Sequence, residues 1–158
     1  MPVLAASAYE LVLALHVMAV VVSFGVTFAY PIMFAVGART DPRSLPLLHR
    51  IEYTLTRRLI NPGLVVVLGA GIYLASDGHL WSEFFVQWGL AVVVVIGGVL
   101  GAVMLPTSKR AEQLAERDLA AAGAMSDEYR ALTRRLASLG SLLSVLVLVT
   151  ILIMVVKP

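Results

Sequence analysis

Three histidines and no cysteine bound the chemistry of this 158-residue chain. Without thiols there are no disulfides, thiolate nucleophiles, Cys-ligated zinc or Cys-ligated iron–sulfur clusters. His16 sits inside the charge-free run from Leu11 to Ala38. It lies about six residues, or roughly 9 Å, from the outer end of that run. An ionisable group at such depth marks a functional site by default. A neutral imidazole offers metal or haem-iron ligation, proton relay, or a structural hydrogen bond. At about 100° per residue, Tyr9, His16, Ser23, Thr27, Tyr30 and Phe34 share one narrow stripe. Polar side chains avoid lipid, so this stripe is expected to face other helices. His49 and His79 lie on opposite flanks of the spans, so no second histidine matches the depth of His16.

Arg57, Arg58 and Asn61 fall within one helical turn. They either snorkel to lipid headgroups or line a pocket for an acidic group such as a propionate or a phospholipid phosphate. The candidate cofactor-binding set is thus His16, Arg57, Arg58 and Asn61, with haem b or a metal at His16. None of the ten carboxylates falls within an expected span, which argues against a carboxylate-driven ion pump. No nucleotide loop, Ser–His–Asp constellation or paired-carboxylate site occurs.

The elements that must position these residues follow from hydropathy. Hydrophobic residues make up 59% and charged ones 14%, against about 25% charged in a soluble domain. Mean hydropathy is +0.91. A membrane span needs roughly 17–25 apolar residues. Four runs lack Lys, Arg, Asp and Glu: Leu11 to Ala38, Leu59 to Ser76, Phe84 to Ser108 and Leu136 to Val156. They predict spans over about 11–36, 59–76, 84–106 and 136–156, the first bending near Pro31. One integral membrane domain then covers 1–158, an all-α bundle of four transmembrane helices.

The loop from Arg39 to Arg58 carries five arginines, and that from Lys109 to Arg135 six basic residues. The loop from Asp77 to Glu83 carries none. The positive-inside rule places both basic loops in the cytoplasm and both termini outside. Trp81 and Trp88 then mark the outer interface. From about Leu47, helix two extends into the cytoplasm with His49, Arg50, Glu52 and Tyr53. Between helices three and four an αα extension is expected, with Gly123 as a stop and Ser126 as an N-cap. A net charge of +2 gives no reason to expect nucleic acid as a partner. The bilayer is the expected partner, and a homo-oligomer or larger membrane complex is a further one.

Small residues let helices approach closely in lipid. Gly97 and Gly101, with Gly140 and Ser144, have the spacing for that role, inside one bundle or between two copies. Gly69 and Gly71 on helix two are further candidates.

Several short motifs recur in order: Leu15-His16-Val17, Phe24-Gly25, Arg57-Arg58-Leu59-Ile60-Asn61-Pro62-Gly63, Gly69-x-Gly71-x-Tyr73-Leu74, Trp81 with Trp88, and Met154-Val155-Val156-Lys157-Pro158. This order resembles a bacterial family of predicted four-helix integral membrane proteins of unknown function. That family is distantly similar to the copper-resistance D-type proteins and to the membrane haem-binding protoporphyrinogen oxidase. The resemblance implies an inner-membrane location. It also implies haem binding through His16, with Arg57 and Arg58 opening helix two. Three alternatives stand beside an uncharacterised membrane protein: a haem-dependent oxidoreductase, a copper-handling or transport protein, and a subunit of a larger complex.

Overall fold

Ser7 starts the first helix. Its hydroxyl accepts the Glu10 N–H at 3.3 Å, and the Glu10 carboxylate accepts the Ser7 N–H at 2.9 Å. This reciprocal capping box satisfies two donors that a helix N-terminus otherwise leaves open. The computed structural model describes residues 7–121 and 124–157. These form four long helices: α1 (Ala8–Thr40), α2 (Pro42–Asp77), α3 (Phe84–Ala120) and α4 (Asp127–Val156). Each is long and apolar enough to cross a bilayer. No strand occurs among the described residues. Large apolar side chains cover the outer surface, including Leu11, Val21, Ile32, Val65, Val94, Leu142 and Val155. Such a surface suits hydrocarbon and not water.

Pro31 bends α1. A proline has no N–H to give, and its ring crowds the carbonyl four residues back. The helix accordingly tightens to a 3₁₀ turn over Val26–Phe28 and resumes at Tyr30. Two other departures are wider turns. In α2 the Asn61 N–H reaches back to the Thr56 carbonyl, and in α3 the Leu105 N–H reaches the Leu100 carbonyl. Both are single π-helical turns, a feature often found at functional sites.

The charged end is a small bundle of its own. The opening stretch of α2, Leu45–Leu55, packs along the last part of α3, where Ala111 and Ala115 are fully buried. Arg50 on its outer face bonds Glu112 at 2.7 Å and Glu116 at 3.0 Å. The extension between helices three and four is therefore no free-standing hairpin, because α2 supplies a third member. Ser126 caps α4 as its sequence predicts, accepting the Tyr129 N–H at 3.2 Å. Its own N–H is held by Asp118 at 2.8 Å. Gly123, the expected stop, lies outside the described residues.

Glycine placement differs from the sequence expectation. A Cβ added at Gly97 or Gly101 would meet nothing within 4 Å, and one at Gly140 only the Met104 methyl at 3.9 Å. Gly97 and Gly101 therefore do not seat another helix of this chain. Gly140 and Ser144 leave space beside α4 and do not bring a helix in. The close approach occurs elsewhere: a Cβ at Gly63 would collide with the Ser23 side chain, and one at Gly89 with the Met154 methyl.

Candidate functional site

The seam between α1 and α2 holds the upper half of the polar stripe. The two helices run antiparallel, so Ser23 lies on Gly63 and His16 on Gly71. The His16 Cε1 is 3.4 Å from where a Gly71 Cβ would stand. The ring is half-buried, while Leu15, Val17 and Met18 beside it are exposed. Its Nδ1 is buried without a hydrogen-bond partner. Tyr9 is half-buried above it.

From Phe24 onward α1 enters different surroundings. Phe24, Thr27, Tyr30 and Phe34 line a cavity of about 440 Å³ walled by all four helices. The Thr27 hydroxyl donates to the Phe24 carbonyl at 2.7 Å, tied into its own turn. The cavity owes its space to three local features. The 3₁₀ turn at Val26–Phe28 interrupts α1 beside it. The π-helical turns put Thr56, Ile60, Leu100 and Met104 on its wall. On α4 the wall is small: Ala137, Gly140, Ser141 and Ser144. Exposed lining residues sit on two helices, Pro31, Ala35 and Ala38 on α1 with Arg134, Ala137 and Ser141 on α4. The cavity thus opens sideways between α1 and α4. Its α4 wall runs from Tyr129 to Val147, about 27 Å along a helix axis.

The end of the cavity nearest the charged bundle is polar and tightly enclosed. His49 is 2% exposed and Glu52 6%. His49 Nε2 lies 3.1 Å from the Tyr129 hydroxyl. Its Nδ1 lies 3.5 Å from the Glu52 carboxylate, which accepts the Ser108 hydroxyl at 3.1 Å. A carboxylate on the Nδ1 side favours a proton there, so Nε2 accepts from Tyr129. The Phe34 ring stacks obliquely on His49 at 4.6 Å, and Tyr129 meets it edge-on at 5.8 Å. The arrangement is two hydrogen-bonded pairs, Tyr129 with His49 and Ser108 with Glu52, on apolar walls, with the His49 Nδ1 buried between them without a hydrogen bond and the whole able to hold a polar head.

His49, Glu52 and Tyr129 were not among the sequence candidates. A signal was present: Leu45, His49, Glu52, Thr56 and Ile60 recur at intervals of four, three, four and four, one helical face. All five are buried. Glu52 lies outside the expected spans and is nevertheless buried.

The structure does not bring the proposed cofactor set together. Arg57 and Arg58 are exposed, Asn61 is half-buried, and none lines the cavity. Arg57 lies fourteen residues from Gly71 on α2, and hence about 21 Å from the level of His16. No group of three His, Cys, Asp or Glu that could hold a metal occurs among the described residues. His79 is exposed in the turn after α2, with a left-handed backbone at φ 54°. The His16 ring lies against α2 at Gly71 and does not line the cavity.

A family model described as "Predicted integral membrane protein (DUF2269)" matches residues 10–158. No curated protein and no solved structure matches the chain, so neither the copper-resistance D-type proteins nor the protoporphyrinogen oxidase is among its matches.

Proposed function

The chain belongs to the DUF2269 family of predicted integral membrane proteins, and from its geometry we propose that it binds an elongated amphiphile drawn sideways from the bilayer. One observation carries this reading: an apolar cavity of about 440 Å³ that opens between α1 and α4 and ends on His49, Glu52 and Tyr129. Ligand sites commonly enclose roughly 300–1,000 Å³, mostly apolar with a few convergent polar groups. The apolar tail would lie along Leu100, Leu143 and Val147, and the head would meet the polar end. The basic loops support a reading in which that end faces the cytoplasm from a bacterial inner membrane, with both termini outside.

The test is extraction of the protein purified in mild detergent, with mass spectrometry of what it carries. Wild type is expected to retain an amphiphile that Gly140→Leu/Ser144→Leu, which fills the cavity, loses. Equal retention by both would overturn the reading. A visible spectrum separates the haem alternative: a Soret band that His16→Ala abolishes would restore His16 as a ligand and displace the cavity proposal.

A further inference from the structure

The geometry points to a positively charged head on the amphiphile, with Glu52 as its counter-ion; this rests on the cavity being a binding site. Among the described residues two acids are buried, Glu52 and Asp118. Asp118 meets the Arg117 guanidinium at 2.9 Å. Glu112 is less enclosed and meets Arg50 at 2.7 Å. Glu52 has no lysine or arginine within 4 Å; its neighbours are the Ser108 hydroxyl and the Nδ1 edge of His49. Buried charges are ordinarily paired, and a lone carboxylate withdrawn from water is costly. His49 compensates only partly, because its Nδ1 stands 3.5 Å from the carboxylate and makes no hydrogen bond to it.

The rest of the polar end agrees in sign. Tyr30 and Phe34 stand on α1, His49 and Thr56 on α2, and Tyr129 and Thr133 on α4, all lining the cavity. Aromatic faces attract cations. The one arginine on the cavity wall, Arg134, is exposed and flanks the mouth. An anionic head would be placed beside Glu52. An uncharged head would leave Glu52 unpaired. An amine or quaternary ammonium on an alkyl chain satisfies both the charge and the apolar wall.

Three probes with the same tail decide the point: dodecyltrimethylammonium, dodecanol and dodecyl phosphate. Each is titrated into the full-length protein in a maltoside detergent and read by native mass spectrometry. The cation is expected to bind tighter than dodecanol by about tenfold or more, the scale of one desolvated cation–π or charge contact. Dodecyl phosphate is expected to bind weakest. Glu52→Gln should bring the cation down to the level of dodecanol, and Arg134→Gln should leave the order unchanged. Tightest binding of dodecyl phosphate, or equal binding of all three heads, overturns the cationic head. So does an unchanged order in Glu52→Gln. Should that variant not fold, the wild-type order still decides. A failure of the cavity reading looks different: none of the probes would bind wild type better than Gly140→Leu/Ser144→Leu.

Discussion

The α1–α2 seam and the α4 wall use small residues to opposite ends. At the seam, Gly63 and Gly71 remove side chains so that Ser23 and His16 rest against the helix. On α4, Gly140 and Ser144 remove side chains and nothing takes their place. A small residue on a membrane helix therefore specifies either contact or vacancy. Which one follows is decided by whether the facing helix is straight enough to close the gap. As far as Ser23, α1 closes on α2; from Phe24 onward its side chains line the space between α1 and α4. The polar stripe of α1 crosses this boundary, so its upper half is packed and its lower half faces a cavity.

The comparison breaks most readily at Gly63. Gly63→Leu would drive a side chain into Ser23, and overpacking of this kind costs about 3 kcal/mol. Gly101→Leu adds the same group where a Cβ meets no atom, and its effect should stay within about 0.5 kcal/mol. Thermal unfolding of the two variants in one detergent tests this. Equal destabilisation would mean that helix contacts at Gly101, such as a second copy, matter as much as the seam.

The next effect concerns the polar end. Tyr129→Phe keeps the ring and removes the hydroxyl facing His49. A buried acceptor left alone costs about 1–2 kcal/mol, whereas replacing both partners by apolar groups is nearly neutral. The loss caused by Tyr129→Phe is therefore expected to shrink when it is measured in a His49→Leu background, where the acceptor is already gone. Additive losses would show that His49 is held by Glu52 and Phe34 and not by Tyr129.

Much of this contrast was invisible in the sequence, for identifiable reasons. The four spans were legible because lipid penalises charge within a single segment. The bend near Pro31 and the Ser126 cap were legible because each acts on its own turn. The inward aspect of the stripe followed from periodicity. The Ser7–Glu10 box was equally local, its Ser-x-x-Glu spacing being a known start signal. Gly63 and Gly97 read alike in sequence and differ only in what faces them. His49 and Glu52 sit among arginines, and that neighbourhood suggested a solvated extension. Their burial comes from α3 and α4, some sixty to eighty positions away. The sequence also grouped His16 with Arg57 and Arg58, although the rise of α2 keeps them apart.

A milder change comes from filling the vacancy. Gly140→Leu alone should raise stability by about 0.5–1 kcal/mol, as cavity-filling substitutions commonly do. The same change at Gly71, where His16 already stands, should lower it. A fall at both positions would mean that the α4 wall is closed in the membrane.

The smallest effect separates the two regions by acid. Asp118 accepts hydrogen bonds from Ser126, through its hydroxyl and its backbone N–H, and then meets the Arg117 guanidinium; together these lower its pKa to about 2. A carboxyl whose folded pKa lies below its unfolded value of about 3.9 adds stability that is fully present above that value. The contribution fades as pH falls from about 4 through 2, because protonation removes the charge that strengthens the bonds holding the start of α4. The seam at Gly63 and Gly71 contains no carboxylate and lacks this contribution. Hydrogen exchange at pH 5 and pH 2.5 should therefore show faster exchange at Ser126 and Tyr129 in acid, after correction for intrinsic rates. Amides from Leu64 to Ala70 should stay protected. Asp118→Ala, which removes the acceptor altogether, should exchange rapidly at Ser126 at both pH values. If acid loosens seam and hairpin together, α4 and the α1–α2 pair unfold as one unit, and the difference between them is confined to packing.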